Sequence, residues 1–463
     1  MKTNFKFGKS ILSVALATVL APSAQAAPLE RELKTLLETH PILKAAAYTV
    51  DSAESNVKAT QSGYFARVFV DGGAGREHVE SRAWDDPAIV TDRSAVGDTS
   101  WSEVSYKNAS LRVEQPLIHF GRISGAVNGA EAGLVREEHL AAQTTQQILL
   151  QGITAYLQVA RFVTLIDLAE QNEKSTREQL DLESKRVAAG GGIEVDALQA
   201  ETRLQVVRER SVFYNQQLRD VLATYEQLFG RPADLFSIQN VGVPEELIPA
   251  TLETALNEYA EKNPEILAAL ASADQAMAQV TAADASILPK LDLVGRASRE
   301  YHKGGVNNKE EFSLGLRFSW SFSIAGEEFH KAESSLAQHD ASLQRAIAAR
   351  NNFKQQVQTT WNQVENGKER LELLENAVKI SQSVMRDRKR LRDAGKETAM
   401  GALDAEVEYY GVLANKINAE FDTRIAAYRL LGALGALSPE NLGILSGDFK
   451  IPVSNELITA DKS

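Results

Sequence analysis

The chain has 463 residues, 44% of them hydrophobic but only 7% aromatic, with a formal net charge of −12 and no cysteine. These values exclude disulfides and lipid attachment at a cysteine, and they argue against a general nucleic-acid binder. With 12 prolines, and with Ala, Gln, Glu and Leu dominating the middle of each half, the composition favours long helices over a thick globular core.

Residues 1–26 read as a signal peptide. Lys2, Lys6 and Lys9 give a basic start, Ile11 to Leu20 is apolar, and Ala24-Gln25-Ala26 matches a small-x-small site, so cleavage is expected after Ala26. Removing it takes away three lysines and leaves a mature charge of about −15. No unbroken run of 18 apolar residues follows, so a membrane could be crossed only by a β-barrel.

The remainder is an internal duplication. Pro41 and Pro264, 223 positions apart, sit in matching segments, as do Gly190 and Gly395, and Gly230 and Gly435, both at an offset of 205. The same offset carries Glu201 onto Glu406. The first copy therefore holds a net 18 extra residues (223 minus 205) between Pro41 and Arg186. The expected division is a first repeat at 27–236, a linker at 237–262, a second repeat at 263–436 and a tail at 437–463. A unit of this length present only twice is no solenoid; it suits a pseudo-symmetric protomer of a ring or tube.

Each repeat reads as helix, strand, strand, very long helix, helix. In the first, Pro41 opens a helix to about Gly63, since proline at the first turn needs no donor. A hairpin follows at about 64–118. Val68 and Val70 alternate there with Arg67 and Asp71, and Leu111 and Val113 with Arg112 and Glu114. The polar stretch Gly72 to Asn108 reads as a long outer loop, with Trp84 and Trp101 near its rim. A long helix spans about 122–188, with Gly121, Gly125, Gly129 and Gly133 recurring on one face, and a last helix covers about 194–229. In the second repeat a helix opens at Pro264 and reaches about Ile287, where Pro289 ends it. A hairpin at about 289–323, a long helix at about 327–392 and a last helix at about 397–434 follow.

Phe312, Leu314, Leu316, Phe318, Trp320 and Phe322 alternate with small or polar residues without a break. Four strands are too few to close a barrel, so they read as part of an oligomeric transmembrane barrel; a soluble four-stranded sheet would alternate too. Each long helix of ~67 residues would reach ~100 Å at 1.5 Å per residue and needs partners along its length. The two shorter helices of a repeat sum to nearly the same length, so stacked end to end they would match it, giving a tall barrel of coiled helices.

At this point the residues resemble a family. His40-Pro41 and Asn263-Pro264 open the two halves; Gln115-Pro116-Leu117-Ile118-His119-Phe120-Gly121-Arg122 leaves the second strand and Leu288-Pro289-Lys290-Leu291 enters the third. Gly190 and Gly395 are followed by Asp196-Ala197-Leu198 and Leu403-Asp404-Ala405. In order, and twice, these resemble the TolC family of outer-membrane efflux proteins across essentially the whole mature chain. The resemblance implies a mainly α homotrimer, with a 12-stranded barrel in outer-membrane lipid continued by a periplasmic helical barrel. It implies a passive exit duct working with a periplasmic adaptor and an inner-membrane pump of ABC or RND type. It also places acidic residues at the closed aperture: Asp196 and Asp404, with Glu194 and Glu397 as candidates to compensate for Gly401, where the family carries an aspartate. The glycine turns at Gly190, Gly191, Gly192 and Gly395 become candidate docking points for the adaptor. Against the gate reading, acidic residues also belong in a helix's first turn because of its dipole.

The chain departs from the pattern at Ala66, which stands where the second half has Pro289, and at Ser319-Trp320 in place of Pro116-Leu117. The missing cysteine favours a type I secretion duct over the acylated drug-efflux type; multidrug efflux is the alternative, and a periplasmic adaptor a distant one. The seven histidines (His40, His78, His119, His139, His302, His330 and His339) form no HExxH pair, and Gly395-Lys396-Glu397-Thr398 lacks the strand and glycine of a phosphate loop. No enzyme, metal or cofactor is expected.

Overall fold

A computed structural model describes residues 28–82, 99–236, 238, 241–301, 308–321 and 323–444. The proposed signal peptide, Trp84, Phe322 and most of the tail lie outside the described residues. Two helices precede the proline-opened one of each half and were missed in the sequence: α1 (Pro28–Thr39) and, within the expected linker, α5 (Leu252–Glu258). The other helices are α2 (Pro41–Gln61), α3 (Arg122–Ala188), α4 (Glu194–Phe229), α6 (Pro264–Asp284), α7 (Glu327–Asp393) and α8 (Ala399–Leu434). Both α2 and α6 have 21 residues and run into a 3₁₀ turn, at Ser62–Tyr64 and Ala285–Ile287, so the duplication holds element by element.

The His-Pro and Asn-Pro openings are helix caps. The Nδ1 atom of His40 accepts from the Ile42 amide at 3.3 Å. Burial lowers the His40 pKa, which keeps the imidazole neutral and Nδ1 free to accept. Asn263 accepts from the Glu265 and Ile266 amides and donates to the Ala433 carbonyl at 3.0 Å, in the last turn of α8. That last bond stacks α6 end to end on α8. Gly435, at φ +79°, permits it, because a Cβ there would stand 2.9 Å from Pro264. The stacked helices α6 and α8 pack along α7, as α2 and α4 pack along α3. In addition α3 packs against both α6 and α8, which joins the two halves into one array of staves.

The core is a band partway down the array. Leu33, Leu36 and Leu37 of α1, Leu149, Ile153 and Leu157 of α3, Tyr225 and Phe229 of α4, and Phe421, Leu430 and Leu431 of α8 meet there, nearly solvent-free. Each such side chain contributes ~1.5–3 kcal/mol by leaving water. The helix α3 does hold an 18-residue window apolar enough to cross a membrane, contrary to the expectation from unbroken runs, but 56% of that window is buried in the fold, as in any core helix.

The strands β1 (Arg67–Arg82), β2 (Thr99–Ile118), β3 (Lys290–Tyr301) and β4 (Asn308–Ser319) form one antiparallel sheet in sequence order. The expected loop Gly72 to Asn108 is largely strand: β1 and β2 stay in register out to Arg82 and Thr99, a ribbon that outruns the β2–β3 pairing, which stops at Lys107 and Tyr301. Alternation is weak in that ribbon, so period gave no signal. Among the described residues, β1 and β4 each have one edge without a strand partner.

Candidate functional sites at the helical tip and in the sheet

The two helix–helix turns at the tip share one backbone design. The Gly190 amide donates to the Val187 carbonyl and the Gly191 amide to that of Arg186, both at 3.0 Å. In the second repeat the Gly395 amide donates to Arg392 at 2.9 Å and that of Lys396 to Leu391 at 2.8 Å. These are Schellman closures, which need a left-handed residue; Gly190 and Gly395 supply it at φ +78° and +72°. Among the described residues, nothing beyond the adjoining ones lies within 4 Å of a Cβ built on either glycine, so both turns present an open surface.

The acidic residues beyond these turns are not equivalent. Glu194 is the first residue of α4 and Asp196 lies in its first turn, where Ile193 offers no side-chain cap, so their charge faces the helix's positive end. Glu397, expected to begin the last helix, lies in the turn before it. The Thr398 hydroxyl caps α8 by accepting from the Gly401 amide at 3.1 Å, and the Glu397 carboxylate accepts from the Thr398 amide. A serine, threonine or asparagine-type cap needs a β-region residue before the helix, and Thr398 takes that place. A Cβ on Gly401 would meet the Glu397 carboxylate at 2.5 Å, so Glu397 fills the space that a side chain at position 401 would take. Arg388 of α7 lies 3.8 Å from the same carboxylate.

Asp404, exposed, accepts from Arg203 of α4 at 2.8 Å. Beneath it, Ser175 of α3 donates to the buried Glu406, and the buried Arg392 of α7 donates to Gln179 of α3. Arg208 of α4 bridges to Glu173 of α3 at 3.1 Å, and together with Arg177 it holds that carboxyl below its usual range. The staves at the tip are therefore tied to one another by charge-assisted bonds, of which only Asp404 was singled out in the sequence. The repeat of Glu201 as Glu406 was a usable signal, although only Glu406 is buried.

At the other end, one face of the sheet is apolar and open. Phe312, Leu314, Leu316 and Phe318 of β4 are 65–81% exposed, and Val68 and Val70 of β1 share their rows. Trp320 lies just past the inner end of this face, donating to the Ile287 carbonyl at 3.0 Å, with Tyr64, Phe65 and Phe120 also exposed at the strand–helix junction. At the outer end Arg299 pairs with Glu310 and lies over the Tyr301 ring. Glu310 and Trp320 are ten positions apart, ~33 Å along a strand at 3.3 Å per residue. At the usual strand tilt that is ~25 Å of height, the apolar band of an outer-membrane barrel. The opposite face is polar: Arg317 bridges Glu114 at 2.7 Å and Asp292 at 3.3 Å. The side chain of Trp101 lies outside the described residues. Among those described, no group of three His, Asp or Glu is placed to hold a metal.

Known proteins agree with this geometry. The family model described as "Outer membrane efflux protein" matches residues 33–231 and 255–436. The alkaline protease secretion protein AprF of Pseudomonas aeruginosa is 24% identical over 385 residues, 80% of this chain and 77% of AprF. The outer membrane protein TolC of Escherichia coli is 21% identical over 364 residues, 75% of this chain and 73% of TolC. The crystal structure of the CmeC outer membrane channel of Campylobacter jejuni superposes with a TM-score of 0.74, 14% identity and 94% coverage of both chains. A greasy sheet face of membrane height, joined to an array of long staves and matched by the family model over both repeats, makes this chain a member of the TolC-like outer membrane efflux protein family, an outer-membrane channel and not an enzyme.

Proposed function

We propose that the chain assembles as a homotrimer, with three four-stranded sheets closing a 12-stranded barrel in outer-membrane lipid. The observation that carries this is the pairing of an exposed apolar sheet face with two open sheet edges on one protomer. A single such sheet would leave both edges unpaired in hydrocarbon, and closure removes them. Below the membrane the staves continue as a periplasmic tube, and the whole acts as the passive exit duct of a tripartite export system. An adaptor's helical hairpins dock at the turns of Gly190, Gly191, Gly192 and Gly395, and an inner-membrane pump drives the cargo.

The cargo we infer is protein, by type I secretion with an ABC-type pump. Support comes from AprF, whose name assigns it to secretion of a protease. The family's description as efflux favours small-molecule export as the second reading. Deleting the gene and scoring culture supernatants together with sensitivity to drugs, bile salts and dyes decides between them. Loss of one or a few large secreted proteins at unchanged drug tolerance supports secretion. Retained secretion with raised sensitivity overturns it in favour of efflux.

At the tip, Asp196, Asp404, Glu194 and Glu397 line the closed aperture, and Arg203 holds Asp404 in place. Threefold rings of carboxylates would select cations and make conductance depend on pH. Joint Asp196→Asn and Asp404→Asn substitution should raise bilayer conductance; unchanged currents would leave these residues as ordinary first-turn charges.

A further inference from the structure

The polar face of the sheet carries one arrangement that stability alone disfavours. Arg112 of β2 and Arg296 of β3 are direct cross-strand partners, in a row that reads Phe69, Arg112, Arg296, Ser313. Like charges directly opposite one another destabilise a sheet. The neighbouring carboxylates do not cancel them. Glu114 is committed to Arg317 at 2.7 Å and lies only within 3.5 Å of Arg112, whose Nε is buried without a hydrogen bond while its guanidinium lies over the Phe69 ring at 4.6 Å. Asp292 also faces Arg317. Arg296 is exposed and forms no ion pair among the described residues, and the same holds for Arg67, which is paired across the ladder with Glu114. Across three successive rows the face thus holds Arg67, Arg112, Arg296 and Arg317 against Glu114 and Asp292. The next row outward turns acidic at Asp71 and Glu311, the latter 3.1 Å from Lys309, so the basic zone is narrow.

We propose that the Arg112–Arg296 pair is an anion-binding subsite in the channel wall, taking phosphate, sulfate or carboxylate groups of material in transit. The proposal rests on the duct reading above, in which the polar face lines the lumen. Guanidinium groups suit such ligands because their planar forks bind oxyanions bidentately. The Phe69 ring holds one fork flat against the wall, and Ser313 offers a hydroxyl beside the other. In the closed barrel three copies would stand at one level, just inside the row of Asp71 and Glu311.

The test uses the purified full chain in planar lipid bilayers, with inorganic tripolyphosphate as the probe on the barrel side. The expected result is concentration-dependent block of the wild-type current, with the half-blocking concentration raised at least tenfold in Arg296→Gln. Arg299→Gln, which removes the same charge from the lipid-facing side, should block as wild type does. Ser313→Glu provides a second variant that keeps both arginines and neutralises them from β4; it too should lose block. Equal block in Arg296→Gln and Arg299→Gln, or no block of the wild type, would overturn the subsite while leaving the duct intact. Failure of the wild type to form any channel would instead overturn the duct reading, and the subsite with it.

Discussion

Replacing Gly125 with alanine separates helix propensity from helix packing, because the two act in opposite directions there. Gly125, Gly129 and Gly133 are buried on the side of α3 that meets α6, while Gly121, the first of the four in sequence register, precedes the helix as its left-handed cap at φ +99°. A Cβ on Gly125 would stand 2.8 Å from the Ala282 amide nitrogen, 3.0 Å from the Ala278 carbonyl and 3.1 Å from the Ala282 Cα. All three are backbone atoms, so no rotamer change relieves the overlap. Ordinary contact begins at 3.4 Å, so the two helices must part by about 0.6 Å over their closest turn. Overpacking of this kind costs ~1–3 kcal/mol, more than the ~1 kcal/mol that alanine gains over glycine in a helix. At Gly129 the same methyl meets the Ala278 Cβ at 3.5 Å, an ordinary contact, so only the propensity gain remains. Gly125→Ala should therefore lower the melting temperature followed by circular dichroism in detergent, and lower the temperature at which the assembly dissociates on a gel. Gly129→Ala should leave both unchanged or raised. If the two variants melt together, the close approach of α3 and α6 is not what fixes Gly125.

Other consequences can be checked with the same preparation. Tyr225, 1% exposed, donates to Glu32 at 2.7 Å beside Arg231, tying α1 to the end of α4; Tyr225→Phe should cost ~1 kcal/mol, and an unchanged melt would mean that packing and the Arg231–Glu32 pair hold α1 without the hydroxyl. Burial raises the pKa of the Glu138 carboxyl, so the folded chain binds that proton more tightly than the unfolded chain. The site's stability is then fullest below the ordinary carboxyl pKa and is lost as pH rises through the folded value. Glu138→Gln should raise the melting temperature at neutral pH, with the gain vanishing below about pH 4; a gain of equal size at both pH values would refute the assignment. Leu314→Lys, in the middle of the exposed apolar band, should cost ~2–4 kcal/mol in lipid and reduce outer-membrane yield. Ser298→Lys on the opposite face should be tolerated, and equal yields would mean that the two faces have been assigned the wrong way round.

The duplicated order of elements, both 67-residue helices and the two glycine turns could be read from the chain because each rests on local physics. Helical period sets the long staves, proline at the first turn sets α2 and α6, and left-handed glycine sets the Schellman closures. The unbroken alternation of β4 marked its two faces without reference to any neighbour. The extension of β1 and β2 to Arg82 and Thr99 was not readable, because that ribbon lacks alternation and is set by register with its partner. Nor were α1 and α5, short helices that are held by the central core.

The tip shows the same division. Its acidic residues could be named in advance, but their surroundings could not. Arg203 and Asp404 are 201 positions apart, Gln179 and Arg392 are 213, and Ser175 and Glu406 are 231. That Glu397 fills the room above Gly401 depends on how the turn folds back on the first turn of α8. The opposed Arg112 and Arg296 came to light only when β2 of one repeat paired with β3 of the other. Local preferences and repeat spacing determined the long staves, the proline-opened helices and the glycine turns that end α3 and α7, since those depend on neighbours within a few residues. Which charges meet was decided only by packing one repeat against the other, because that depends on a register no stretch of either repeat contains.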